Sequence, residues 1–304
     1  MKLSEFVVII FCLILGVITR RRKWLGIESI VPLNNFIIRF ALPAVILISI
    51  PNLEIDITVL LPILTPWCLL LFNIFVIITI SNYFKWSREV KGALLMVATL
   101  GNTSYLGFPL VNAFWGAEAM PFAVVYDQIG NFFLLAIYGA IVLSVYGSEK
   151  TNAQNIIKSI VSFPPFIALV LAFVIRGMTL PLVIEQSLLY LGMTMMPVAM
   201  FIVGIQLQFK VPKQYIKPLI LGITLKMLIA PILVIVVLIQ LDKVDLMAKV
   251  SVFESAVPPM VTAGIMAINA RLAPPLVTAM IAYGTIAAFV TLPLLYALLE
   301  WLFV

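Results

Sequence analysis

The feature that most constrains this chain is a series of apolar stretches, each about twenty residues long, joined by loops too short to fold alone. In hydrocarbon every backbone N–H and C=O must find a partner within the protein, so only helices and closed barrels span a bilayer. At about twenty residues each, these stretches read as membrane-spanning helices. No soluble domain carries 63% hydrophobic and 11% charged residues over 304 positions. The sequence predicts an all-α polytopic membrane protein of ten spans, at roughly 3–19, 29–50, 57–81, 89–114, 119–146, 156–175, 182–207, 215–240, 246–269 and 274–303. The first run ends at Arg20-Arg21-Arg22-Lys23 without a small-residue cleavage site, which marks a retained span rather than a signal peptide.

Charge placement orients the spans. Of the nineteen Lys and Arg residues, thirteen fall beside the loops after spans 1, 3, 5, 7 and 9, Lys150 among them. Four, Lys2, Arg176, Lys243 and Lys249, fall on the other side, and Arg39 and Lys226 fall within spans. The positive-inside bias then puts both termini on the non-cytoplasmic face of the cell membrane. The net charge of +6 is explained by this bias and calls for no nucleic-acid partner. Trp24, Trp86, Trp115 and Trp301 sit near span ends, as interfacial anchors do.

Several function classes are excluded by what is missing. There is no histidine, which removes a Ser–His centre and a His-ligated metal site. Cys12 and Cys68 lie inside apolar runs and imply neither disulfide nor metal. No enzyme centre, cofactor or metal is expected. A sensor on a transporter fold would carry a soluble domain, and no segment here is long enough to be one.

The fourth span is polar where it should be most apolar. Thr99-Leu100-Gly101-Asn102-Thr103-Ser104-Tyr105-Leu106-Gly107-Phe108-Pro109 sets three polar side chains in a row between glycines and a proline. Pro109 lacks an N–H and crowds the preceding turn, while Gly101 and Gly107 let the backbone leave the helix. The reading is two half-helices joined by an unwound link near Asn102–Gly107, which at membrane depth must be buried in protein or solvated in a cavity. A kinked but continuous helix is the alternative on this stretch alone.

The two halves of the chain resemble each other at an offset of about 153–156 residues. Arg20 and Arg176 close spans 1 and 6; Pro43 and Pro197 stand in spans 2 and 7; Pro62 and Pro218 open spans 3 and 8; Pro121 and Pro274 open spans 5 and 10. A shift of five spans inverts the second copy, so residues 1–147 and 156–304 read as two inverted five-helix repeats. Such repeats with matching broken helices mark secondary transporters. At offset 153 the break in span 9 falls on Glu254-Ser255-Ala256-Val257-Pro258-Pro259, with Asn102 matched to Ser255 and Tyr105 to Pro258. Half-helix N-termini carry partial positive charge and suit an anion.

These residues resemble the auxin efflux carrier family, which includes bacterial permeases and the plant PIN carriers. Gly101-Asn102-Thr103 with Gly107-Phe108-Pro109-Leu110 is similar to the family's fourth-helix motif, Ala256-Val257-Pro258 to its ninth-helix proline crossover, Phe40-Ala41-Leu42-Pro43-Ala44 to its second helix and Thr291-Leu292-Pro293-Leu294 to its tenth. The likeness runs the length of the chain. It implies a fold akin to bile-acid symporters and sodium–proton antiporters. Spans 1, 2, 6 and 7 would be a scaffold and homodimer interface; spans 3–5 and 8–10 would move around crossing, broken helices 4 and 9. The implied substrates are small organic anions, mostly carboxylates. The long central loop of the long plant carriers is absent, and Glu254 has no place in the family pattern.

The candidate substrate-binding residues are Asn102, Thr103, Ser104, Tyr105, Gly107, Pro109, Ser255, Pro258 and Pro259. Asn102 either donates to a substrate carboxylate or caps a half-helix. The candidates for proton or sodium coupling are Glu254, Asp127 and Asn131. Asp127 and Asn131 lie i,i+4 on one face of span 5, beside Gln128, and an intramembrane carboxylate is a functional candidate by default. Glu254 beside a bound carboxylate must be neutral, hold a cation, or pair with Lys226 or Lys249. Arg39 or Lys226 could instead pair with Asp127. Met193, Met195 and Met196 read as packing residues. Two functions follow: a carrier of a small organic anion, with the proton as candidate coupling ion, or a sodium-coupled symporter or cation–proton antiporter working through Asp127 and Glu254.

Overall fold

The computed structural model describes residues 3–53, 56–147, 153–178, 180–207, 209–242 and 245–303. Lys2, Lys150 and Lys243, counted in the charge bias, lie outside the described residues. All elements among the described residues are helices, with no strand. They form α1 (Leu3–Arg21), α2 (Ile30–Asn52), α3 (Ile57–Tyr83), α4 (Arg88–Val97), α5 (Phe108–Trp115) and α6 (Ala117–Tyr146). The second half holds α7 (Ala153–Val161), α8 (Pro164–Val174), α9 (Leu182–Gln206), α10 (Lys213–Gln240), α11 (Leu246–Ser255), α12 (Val261–Asn269) and α13 (Pro274–Leu302). Six of these, α2, α3, α6, α9, α10 and α13, are long and apolar enough to cross a bilayer.

Lipid tails are as apolar as leucine, so helices here associate through close packing rather than water exclusion. Small residues permit the closest approach. A Cβ added at Gly16 of α1 would lie 2.2 Å from the Phe201 carbonyl oxygen, and one at Gly204 of α9 would lie 2.2 Å from that of Leu13. The two backbones therefore touch, seating α1 on the second half of α9.

Buried apolar side chains fall into two packed clusters, and the two expected breaks lie where the clusters meet. Val90 to Leu100 belong to one cluster and Tyr105 to Phe114 to the other. The second break runs the opposite way: Met247 to Val257 share a cluster with Tyr105, and Met260 to Ala267 share one with Leu100. The two broken segments thus cross in opposite directions. Each begins with a capped helix, since the Ser87 hydroxyl accepts from the Val90 N–H at 3.4 Å and the Asp245 carboxylate accepts from the Ala248 N–H at 2.8 Å.

Candidate functional site

Both breaks are real, and they are knotted to each other. Helix α4 stops at Val97, and the chain next winds as a wide π turn over Thr103–Gly107 that runs into α5. The unwound part is therefore residues 98–102, shorter and earlier than the Asn102–Gly107 link read from sequence. Pro109 is the second residue of α5, which follows the π turn without a gap; the chain meets the missing N–H by widening into that turn rather than unwinding. The second break lies between Ser255 and Val261. The Asn102 N–H donates to the Pro258 carbonyl at 2.8 Å, and the Met260 N–H donates to the Leu100 carbonyl at 2.9 Å. Gly101 and Pro259 thereby face each other as an antiparallel bridge. Backbone that has left its helix finds its partners in the other break, as burial in hydrocarbon demands.

This pairing corrects the register. Leu100 and Asn102 stand in the first break as Pro258 and Met260 stand in the second, so the counterpart of Asn102 is Met260, not Ser255. The helices agree, for α4 and α11 are both ten residues long and end at Val97 and Ser255.

Polar side chains from α6 hold the first break. Asn131 donates from Nδ2 to the Gly101 carbonyl at 2.6 Å and to the Thr103 hydroxyl at 2.9 Å, and its Oδ1 accepts from the Gly101 N–H at 3.4 Å. Asp127 accepts from the hydroxyls of Thr103 and Ser104, the latter at 2.6 Å, and from the Gln128 amide. Here α6 winds as a π turn over Tyr126–Asn131, which still delivers both Asp127 and Asn131 to the break. Three neutral donors serve Asp127, and neither Arg39 nor Lys226 pairs with it; Arg39 is exposed. The Tyr105 hydroxyl donates to Asn34 of α2, a contact between distant spans that the sequence reading missed.

The second break is held differently. Lys226 of α10 donates from Nζ to the Ser255 carbonyl at 2.9 Å, and the Ser255 hydroxyl bonds back to the Val252 carbonyl at 2.6 Å. Lys226 is 3% exposed, Asp127 and Asn131 are 2% and Glu254 is 0%. The Glu254 carboxylate lies against Gly107, where an added Cβ would sit 2.2 Å from Oε2. Both its oxygens lack hydrogen-bond partners, as do Asn102 Nδ2, Gln128 Oε1, Asn73 Oδ1 and Thr285 Oγ1. Lys249 is engaged elsewhere, with Glu300 at 3.0 Å; Trp115, read as a membrane anchor, donates to the same carboxylate at 2.9 Å. The Asn102 side chain makes no cap bond.

A cavity of about 600 Å³ adjoins this cluster. Phe108, Pro109 and Asn112 of the first broken span form part of its wall, with Ser49 and Asn52 of α2, Glu118 of α6, and Met193, Met195 and Met196 of α9. The three methionines are thus cavity wall as well as packing. Of the candidate substrate-binding residues Pro109 alone lines this cavity among the described residues; Asn102, Thr103, Ser255, Pro258 and Pro259 are buried and lie outside its lining. No group of three or more His, Cys, Asp or Glu among the described residues could hold a metal ion.

The comparisons with known proteins bear on what such a crossing serves. The family model described as membrane transport protein matches residues 3–296. The chain is 27% identical over 297 residues to an uncharacterized transporter of Methanothermobacter thermautotrophicus, a match covering 94% of both chains. It is 29% identical over 218 residues to an uncharacterized transporter of Methanocaldococcus jannaschii, covering 68% of this chain and 70% of that one. Family and relatives are transporters rather than enzymes. With its apolar helices and matched family model, the chain is a multi-pass membrane protein and belongs to the membrane transport protein family, that of the auxin efflux carriers.

Proposed function

We propose that this protein is a secondary carrier for a small organic anion, a carboxylate, working by alternating access around the two interlocked breaks. The observation that carries the reading is Asn102: its Nδ2 is a buried donor with no partner, set in the unwound backbone where the breaks cross. A buried unsatisfied donor costs about 1–3 kcal/mol, and a substrate carboxylate would repay that cost with a charge-assisted bond. The helices that follow the breaks begin beside it, at Thr103 and Val261, and helix N-termini favour negative charge. The cavity beside Pro109 supplies an apolar wall for the rest of such a substrate.

In this reading the chain is two inverted five-helix repeats, 1–147 and 156–304. Spans 1, 2, 6 and 7 are the scaffold and the dimer interface, spans 3–5 and 8–10 are the moving part, and both termini are non-cytoplasmic. The opposed passage of the two breaks between the packed clusters supports the inversion. Asp127 and Glu254 are the acids available for proton coupling. A cation–proton antiporter would use the same two acids. The test is uptake of radiolabelled carboxylates into proteoliposomes holding the purified protein. Saturable uptake that other carboxylates inhibit is expected; cation flux with no carboxylate uptake across the panel would refute the anion reading.

A further inference from the structure

Helix α11 ends inside the protein. Its last turn holds the negative end of the helix dipole and carbonyls with no partner in the helix. It also holds Glu254, an acid at the end of a helix where acids are unfavourable, and both Glu254 and Ser255 are fully buried. The open carbonyl end of a helix and an acid thus meet in one buried place. Secondary transporters use such ends of broken helices, with unwound carbonyls, to hold a coupling sodium ion or proton.

Here a cation is already supplied by the chain. Lys226 is the only buried lysine or arginine among the described residues, and its Nζ donates to the Ser255 carbonyl at 2.9 Å. Lys226 also reaches the other break: a Cβ added at Gly101 would lie 2.7 Å from Val257 Cγ2 and 2.9 Å from that Nζ, so the ammonium packs closely on the Gly101 backbone. Glu254, one residue before Ser255, and Asp127, hydrogen-bonded to Thr103 and Ser104 of the first break, are the buried acids of this crossing. The first break lacks this arrangement. The helix before it ends in apolar Leu94 to Val97, and the neutral amide of Asn131 takes its Gly101 carbonyl. An ammonium stands only where the helix end carries an acid.

We propose that Lys226 is a tethered cation that occupies the place a dissolved coupling cation would take at the end of α11, so the carrier holds its fold and works without sodium or potassium. This rests on the carrier reading for its meaning, but its test does not depend on the substrate. The melting temperature of the purified protein is measured in sodium, lithium, potassium and choline chloride at equal ionic strength, for wild type, Lys226→Met and Lys226→Ala. The wild type should melt at one temperature in all four salts. The variants should melt lower in choline and be raised by sodium or lithium, with the rise growing with the logarithm of cation concentration, as for a bound ligand. A saturable sodium-specific rise in wild type would overturn the proposal. So would a variant that melts like wild type and ignores the cation. If both single variants fail to fold, Lys226→Met with Glu254→Gln removes both charges and should recover the fold; its failure would also count against the proposal. None of these results touches carboxylate uptake, which judges the carrier reading separately.

Discussion

Substituting Gly107→Ala tests how tightly the first break is packed on the second. The backbone at Gly107 is helical, with φ −61° and ψ −59°, so alanine fits the chain itself and its entropic advantage favours the folded state by about 0.5–1 kcal/mol. The space does not fit. The new Cβ would stand 2.2 Å from Glu254 Oε2, 2.6 Å from Oε1 and 2.7 Å from Cδ, against 3.4 Å for ordinary contact, so the carboxyl group must retreat by about 1 Å. It is fully buried, and overpacking of this kind costs about 1–3 kcal/mol. The net expectation is a loss of up to about 2.5 kcal/mol, read as a lower melting temperature than that of the Gly139→Ala control. Gly139→Ala is the control: its nearest neighbours lie at 3.4 Å and beyond, and it should melt at or above wild type. In a Glu254→Ala background the penalty at position 107 should vanish, giving a coupling in the range of about 0.5–3 kcal/mol seen for residues in contact. If Gly107→Ala melts like Gly139→Ala, or falls equally in both backgrounds, the contact with Glu254 is not what position 107 provides.

Three further outcomes are expected. Asn102→Ala should leave the melting temperature near wild type, because the side chain makes no cap bond, while weakening carboxylate affinity by about 1.5–3 kcal/mol, the worth of a hydrogen bond to a charged group; unchanged affinity by calorimetry would remove Asn102 from the site. Asn131→Ala strips partners from the Gly101 N–H and C=O and from the Thr103 hydroxyl, and should cost about 1–3 kcal/mol for each buried group left unsatisfied; a melting temperature equal to wild type would show that the break holds without it. Gly204→Leu drives a side chain into the Leu13 carbonyl and the Gly16 Cα of α1, contacts that only a shift of whole helices relieves; a stable variant would mean that α1 is not seated as described.

Local chemistry made much of this readable in the sequence. Gly101 and Pro258-Pro259 break helices for reasons of their own backbone, and the structure breaks there. Asp127 and Asn131 stood out as polar groups in an apolar span, and both reach the first break. What could not be read was pairing across the fold. Loops of unequal length disturb a sequence offset, so Asn102 was matched with Ser255 when its backbone register belongs with Met260. Lys226 admitted pairing with an acid, and its hydrogen bond goes to a carbonyl instead. Asn34 gave no signal, being one more asparagine near a span end. Gly107 read as a break, whereas the space it leaves is taken by Glu254.

The double proline also fixes how the two broken spans can slide. Pro258 and Pro259 have no N–H, so the bridge has one donor on that side, Met260, and one acceptor opposite it, the Leu100 carbonyl. Sliding the second segment so that Pro259 takes the place of Met260 would set a prolyl nitrogen against the Leu100 carbonyl and leave that carbonyl without a donor. Slippage in that direction is blocked by chemistry that is missing rather than added, while the present alignment satisfies the Asn102 N–H and the Leu100 carbonyl together. In the carrier proposed above, the two segments are then joined as a single latch by these two backbone bonds.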